Sequence, residues 1–298
     1  MNTGTLSAIG AYLLWGLSPI YWKQLTAVSS LQVVSHRVIW TFLSAFLILL
    51  FTRQFNSLRQ AVQQPKVLRT YLIASILIGS SWVLFVWAVN AGYIVETSLG
   101  YFINPLISVM MGVLILREKI RPWQWLPVGL AAVGVLYLTI SYGQFPMIAL
   151  GLALVFAIYG LVKKTAPLNA AQGLMLESTF LLLPALGWLA YTSTQGTNAF
   201  TTISLTTDLF LVGSGVVTIA PLLLFASAAQ KIPLSMIGLL QYFAPTLQLL
   251  IGVLIYHEAF PTQKLIGYSL VWFGLFIFWL EGWLTRRRQK STQKEIKT

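Results

Sequence analysis

The chain has 298 residues, 57% of them hydrophobic and only 9% charged, with a mean hydropathy of +0.78. Soluble domains carry about 25% charged residues, so this composition belongs in a bilayer, and the lack of cysteine excludes disulfides, thiolate metal sites and thiol nucleophiles. The net charge of +12 is spread over short loops and a tail rather than one folded surface, which argues against nucleic acid as partner and for membrane orientation.

A span of the bilayer core needs about 20 mostly apolar residues. Ten stretches qualify in chain order: 4–22, 32–51, 70–90, 94–116, 123–141, 146–162, 170–191, 208–228, 233–256 and 263–283. No Lys or Arg precedes the first and no small-residue cleavage pattern follows it, so it reads as a retained span rather than a signal peptide. After the second, Phe55, Leu58 and Val62 recur at helical spacing among the basic residues from Arg53 to Arg69, the pattern of a short helix on the membrane surface. The stretch 192–207 is uncharged and rich in Thr and Ser, as expected of an outer loop. Trp22, Trp123, Trp125, Trp188 and Trp283 fall near span ends, where amphipathic rings sit at the interface.

The fourth span repeats in the ninth. GYFINPLISVMMGVLILRE at 100–118 returns 140 positions later as LQYFAPTLQLLIGVLIYHE at 240–258, aligning Pro105 with Pro245, Gly112–Ile115 with Gly252–Ile255 and Glu118 with Glu258. The same offset places Leu84-Phe85 on Leu224-Phe225, Gln32 on Gln172 and Gly134 on Gly274. The spacing predicts an all-α integral membrane protein of ten transmembrane helices in two five-helix units, 1–142 and 143–285, followed by a basic cytoplasmic tail, 286–298. An odd number of spans per unit makes the second run the opposite way through the bilayer, an inverted 5+5 repeat of the kind transporters use. Loop charges agree. Sixteen Lys and Arg lie on the side of the two termini and only Lys23 and Lys264 on the other, which sets both termini in the cytoplasm.

Signatures of covalent chemistry are missing. There is one aspartate, Asp208, two distant histidines, His36 and His257, and no HExxH, GxSxG or P-loop. The sequence therefore predicts neither enzyme nor metal site nor cofactor. The fourth and ninth spans carry a different pattern. Ser98, Tyr101, Pro105, Ser108 and Gly112 recur at helical spacing, as do Gly238, Gln241, Pro245, Gln248 and Gly252. Each proline frees the carbonyl four residues back and bends its helix. A freed carbonyl at bilayer depth must face protein or a water-filled cavity. Tyr101, Asn104, Ser108, Gln241 and Gln248 are thus the predicted solute-binding residues, beside the kinks at Pro105 and Pro245. Trp15 and Trp82 offer an alternative lining. Close helix packing is the plainer reading of the glycines.

Two charges lie within spans, Arg37 and, at the matching position of the second unit, Glu177. Each reads as a counter-charge or coupling group, or as a structural hydrogen-bond anchor. Glu118 and Glu258 end the fourth and ninth spans and are expected to hold a neighbouring base or the backbone donors of the next helix.

The stretches AYLLWGLSPIYWK (11–23), SHRVIW (35–40), WVLFVWAVN (82–90), ETSLGYFINPL (96–106), GLALVFAIYGLVKK (151–164) and LSMIGLLQYFAPT (234–246) make the chain resemble the EamA family of drug/metabolite transporters, most closely its RarD-type permeases. Gln32 departs from the pattern, standing where an acid often precedes the His-Arg pair. The resemblance implies an inverted repeat with the first, third, fourth, sixth, eighth and ninth helices around a cavity, and export or exchange of metabolites or drugs. The sequence reading is a secondary permease of the cytoplasmic (inner) membrane, moving small amphiphilic or zwitterionic solutes by alternating access. Its partners are solute and membrane lipid. A non-transporting receptor or scaffold is the alternative, and it has no need of a symmetric polar midplane. Substrate, direction, coupling ion and oligomeric state stay open.

Overall fold

The computed structural model describes residues 2–295 except 92 and 258–261, and gives backbone course alone for 89, 90, 94, 95, 262–264 and 282–295. Glu258 and the side chains of Lys264, Trp283 and the basic tail lie outside what is described. Among the described residues twelve α-helices follow one another: α1 (Thr3–Trp22), α2 (Ser30–Phe51), α3 (Phe55–Ala61), α4 (Pro65–Asn90), α5 (Ile94–Leu114), α6 (Trp125–Tyr142), α7 (Met147–Thr165), α8 (Ala170–Thr194), α9 (Leu205–Lys231), α10 (Leu234–Gln241), α11 (Phe243–Leu254) and α12 (Thr262–Glu295). No strand occurs among the described residues.

Local chemistry fixes several ends. Asn2, Asn169 and Ser204 each turn a side-chain oxygen onto a first-turn N–H of α1, α8 and α9. α6 stops at Gly143, whose φ of 76° suits glycine. α3 is the expected short helix, but it covers only Phe55–Ala61, and Lys66 and Arg69 already belong to α4.

Eight segments among the described residues are long and apolar enough to cross a bilayer, against ten expected. The first expected span does form a 20-residue helix, α1, yet Thr3, Thr5, Ser7 and Ser18 dilute its apolarity. The tenth is described as apolar only over Leu265–Glu281. The ninth differs in kind: it is two helices, α10 and α11, broken at Tyr242. Pro245 has no N–H for the Gln241 carbonyl, and Tyr242 instead accepts from both the N–H (3.2 Å) and the hydroxyl (2.8 Å) of Thr246. Pro105, by contrast, sits inside an unbroken α5.

Contacts recur at the 140-residue offset. On α6 and α12, a Cβ added to Gly134 would meet the Gly267 carbonyl at 2.8 Å, and one added to Gly274 would meet that of Pro127 at 3.0 Å. Gln32 donates to Thr197 O (2.7 Å) and accepts from Ala199 N (2.8 Å), while its counterpart Gln172 donates to Ser57 Oγ (2.7 Å). Past the ends of α5 and α11, Arg117 and His257 both turn left-handed, at φ 53° and 52°. Tyr242 donates across the bundle to the carbonyl of its own counterpart, Phe102, at 3.2 Å. The main core joins α1, α4, α7, α8 and α9 around the buried Tyr12, Tyr71, Tyr159 and Phe225.

Candidate functional site

The polar stripe of α5 is buried over most of its length. Asn104, Ser108, Pro105 and Gly112 are covered, and Ser108 donates to Asn104 Oδ1 at 3.2 Å. Tyr101, one turn from Pro105 toward the start of α5, is 41% exposed and touches Phe85 edge-on. Its counterpart Gln241 is only 7% exposed. Gln248 donates to Trp15 O at 3.1 Å, tying α11 to α1. The Trp15 ring itself packs among Tyr12, Phe156 and Phe225. The structure therefore separates residues that the sequence grouped. One, Tyr101, has a substantially exposed side chain, whereas Asn104, Ser108 and Gln241 are enclosed.

The covering layer is α10 laid across α5. A Cβ on Gly238 would stand 2.6 Å from the Pro105 carbonyl, so the two backbones touch and only glycine fits. Glu118 clamps this contact. Its carboxylate accepts from Leu234 N (2.7 Å), Ser235 N (2.8 Å) and Ser235 Oγ (2.7 Å), satisfying first-turn donors of α10 with a negative charge where a helix N-terminus favours one. Neither Arg121 nor Lys119 takes this carboxylate. Arg121 pairs instead with Glu281 at 2.8 Å.

Among the described residues no acid pairs with Arg37. Its guanidinium carbon lies 4.6 Å from the Trp22 ring centroid and 4.6 Å from that of Trp82, and Nε donates to Thr218 Oγ1 at 3.1 Å. Tyr101 stands within electrostatic reach of it. A charge deep in a span costs about 2.5–3.5 kcal/mol on the lenient scale, and each ring face returns about 0.5–2 kcal/mol. Trp22, expected at the lipid interface, is thus spent on Arg37. Next door, His36 packs on Phe200 of the 195–204 loop, which Gln32 pins in place.

Glu177 has its own partner. Lys163, expected in a cytoplasmic loop, occupies the last turn of α7 with 1% of its side chain exposed and meets Glu177 (3% exposed) at 2.5 Å. Tyr159 donates to the second carboxylate oxygen at 2.9 Å, and Lys163 also faces the rings of Tyr71 and Tyr159 at 5.4 and 5.8 Å. A Cβ on Gly173 would sit 3.1 Å from Lys163 Nζ and closer still to Tyr71, so glycine makes the room. With both oxygens bonded and the charge matched, Glu177 has no free oxygen for solute in this arrangement. Arg37 and Glu177 match in the repeat yet form no pair.

Residues 2–140 match the EamA-like transporter family. Over 290 residues the chain is 42% identical to Protein RarD of Streptomyces exfoliatus, covering 97% of this chain and 92% of that one. The chain belongs to the EamA-like transporter family. This EamA-like chain is also 42% identical over 294 residues to the uncharacterized transporter YojE of Bacillus subtilis strain 168, covering 97% of each. A solved crystal structure shares its fold, with a TM-score of 0.70 over 93% of this chain and 97% of that one, at 17% identity. The chain is a multi-pass protein of the cytoplasmic (inner) membrane and a membrane transporter by family, which implies a small-molecule solute and a lipid surround.

Several functional candidates escaped the sequence. Lys163 lies 14 residues before Glu177 in the chain, a spacing that no local rule links. Thr218 and Trp22 reach Arg37 only through tertiary packing. The one available signal was the unpartnered charge of Arg37, which required some cage.

Proposed function

We propose that the chain is a secondary permease moving small amphiphilic or zwitterionic solutes by alternating access, in export or exchange, and that it is not an enzyme. The units are 1–142 and 143–285, ten helices in an inverted 5+5 repeat with both termini and the tail 286–298 cytoplasmic. The observation that carries this reading is the unequal state of matched positions. Tyr101 is 41% exposed and Gln241 7%. α5 is continuous where its counterpart is broken into α10 and α11. If two matched halves exchange these states about an axis near the Tyr242–Phe102 contact, the cavity opens alternately to each side, which is the rocking motion expected of such repeats. The reciprocal glycine contacts of α6 and α12 and the paired turns at Arg117 and His257 support the same symmetry. The family match over 2–140 fits the first unit.

Solute is taken to lie between α5 and the α10–α11 break, against Tyr101, Asn104, Ser108 and Gln241. Gln248, Trp15 and Trp82 form the wall. Counterflow in proteoliposomes of the purified chain, over a panel of amino acids and anionic, neutral and cationic amphiphiles, tests the reading. Uptake should occur for at least one class. Gln241→Leu should weaken its half-saturation by the equivalent of about 1–3 kcal/mol, because a solute group is left unpaired. Pro105→Ala restores a helical hydrogen bond and should slow flux more than it weakens binding. No flux for any class, with intact protein, would favour the receptor or scaffold.

A further inference from the structure

We infer that Arg37 is an anion receptor, taking the carboxylate of an amphiphilic solute whose apolar body lies against Trp82, Tyr101 and Phe85. This rests on the permease reading above and narrows its solute class to organic anions and carboxylate zwitterions. Three observations point the same way. First, among the described residues no carboxylate pairs with Arg37, although both ion pairs elsewhere, Arg121–Glu281 and Lys163–Glu177, are complete. Second, two indole rings lie 4.6 Å from the guanidinium carbon and Nε is bonded to Thr218, so the terminal nitrogens are the donors that remain. No hydrogen bond from those nitrogens to a described residue is made, and the residue is only partly buried. A planar pair of oxygens matches those nitrogens with two parallel bonds. Third, the cage is built by α1, α4 and α9 with Tyr101 of α5 beside it, so the charge faces into the bundle rather than toward lipid.

The two matched charges thereby divide their roles. Glu177 is neutralised by Lys163 and holds the fold. Arg37 keeps its charge for a partner that arrives from outside the chain.

The test uses three probes of one shape: 3-phenylpropionate, 3-phenylpropionamide and 3-phenylpropylamine. None carries an indole, so fluorescence of the chain's tryptophans and the thermal unfolding midpoint both report binding to the full-length protein in detergent. The carboxylate should raise the midpoint of the wild type, and the amide and amine should not. Arg37→Gln should abolish the shift. Arg37→Lys, which keeps the charge but loses the fork, should weaken binding by at least about tenfold and serves where the glutamine variant fails to fold. Equal responses to the three probes, a response to none, or an unchanged response in both variants would overturn the assignment. So would a carboxylate response that phosphatidylglycerol abolishes, since a lipid headgroup would then be the anion. Proteoliposome counterflow separates this from failure of the permease reading. Flux of a neutral or cationic solute, untouched by Arg37→Gln, removes the receptor and leaves the permease.

Discussion

Glu177→Leu lowers the stability of the folded chain by about 3–5 kcal/mol, whereas Lys163→Met combined with Glu177→Leu recovers part of the loss. Removing one partner leaves the Lys163 ammonium uncompensated in a site where 1% of the side chain meets solvent. Removing both leaves an apolar pocket beside Tyr71 and Tyr159, and the Tyr159 hydroxyl loses its bond to the carboxylate, about 1.5–3 kcal/mol that the double variant does not recover. Thermal and denaturant unfolding of the three variants in one detergent measures this. Equal destabilisation in the single and double variants would mean that the pair contributes nothing as a pair. The same experiment bears on coupling. A structural Glu177 predicts that Glu177→Gln reduces gradient-driven uptake and gradient-free exchange in step with folded yield. Selective loss of the gradient-driven part would instead make it a proton carrier.

Glu118→Ala releases three donors of α10, two of them backbone. Hydrogen bonds to a charged acceptor are worth about 1.5–3 kcal/mol each, though the three share one carboxylate and do not add. The expected result is faster amide exchange over 234–241, with α5 and α7 little changed. The closure of α10 over Pro105 should loosen with it, raising the accessibility of a cysteine placed at Ser108. Unchanged exchange at Leu234 and Ser235 would show that close packing at Gly238 alone holds α10 down.

The helices were legible because each is a run of apolar residues bounded by polar or glycine-bearing turns. The match of Pro105, Gly112 and Glu118 to Pro245, Gly252 and Glu258 was visible in the sequence, and contacts at Gly134 and Gly274 and turns at Arg117 and His257 recur at the same offset. The break at Tyr242 was not, since Pro105 and Pro245 carry the same local instruction and only tertiary contact decides between a bend and a break. Lys163 was misplaced for a related reason. A lysine at a helix end ordinarily marks the membrane surface, and nothing local says that Glu177 draws it inward. At the site, the sequence found Arg37, Tyr101 and Trp82 separately. It grouped Tyr101 with Gln241 and Gln248 by symmetry, whereas the structure brings it near Arg37 through packing of α2 against α4 and α9 and of α4 against α5.

The proposed inverted arrangement fixes which loops face each side of the membrane, and the absence of native cysteine makes it directly measurable. Single cysteines at Gln60, Lys119, Gln144 and Gln195, all exposed, are labelled in intact cells with a membrane-impermeant maleimide. Gln60 and Lys119 should react only after the cells are opened, and Gln144 and Gln195 should react before. Labelling of Lys119 from outside, or of Gln144 only from inside, would contradict the five-plus-five crossing and the alternating access built on it.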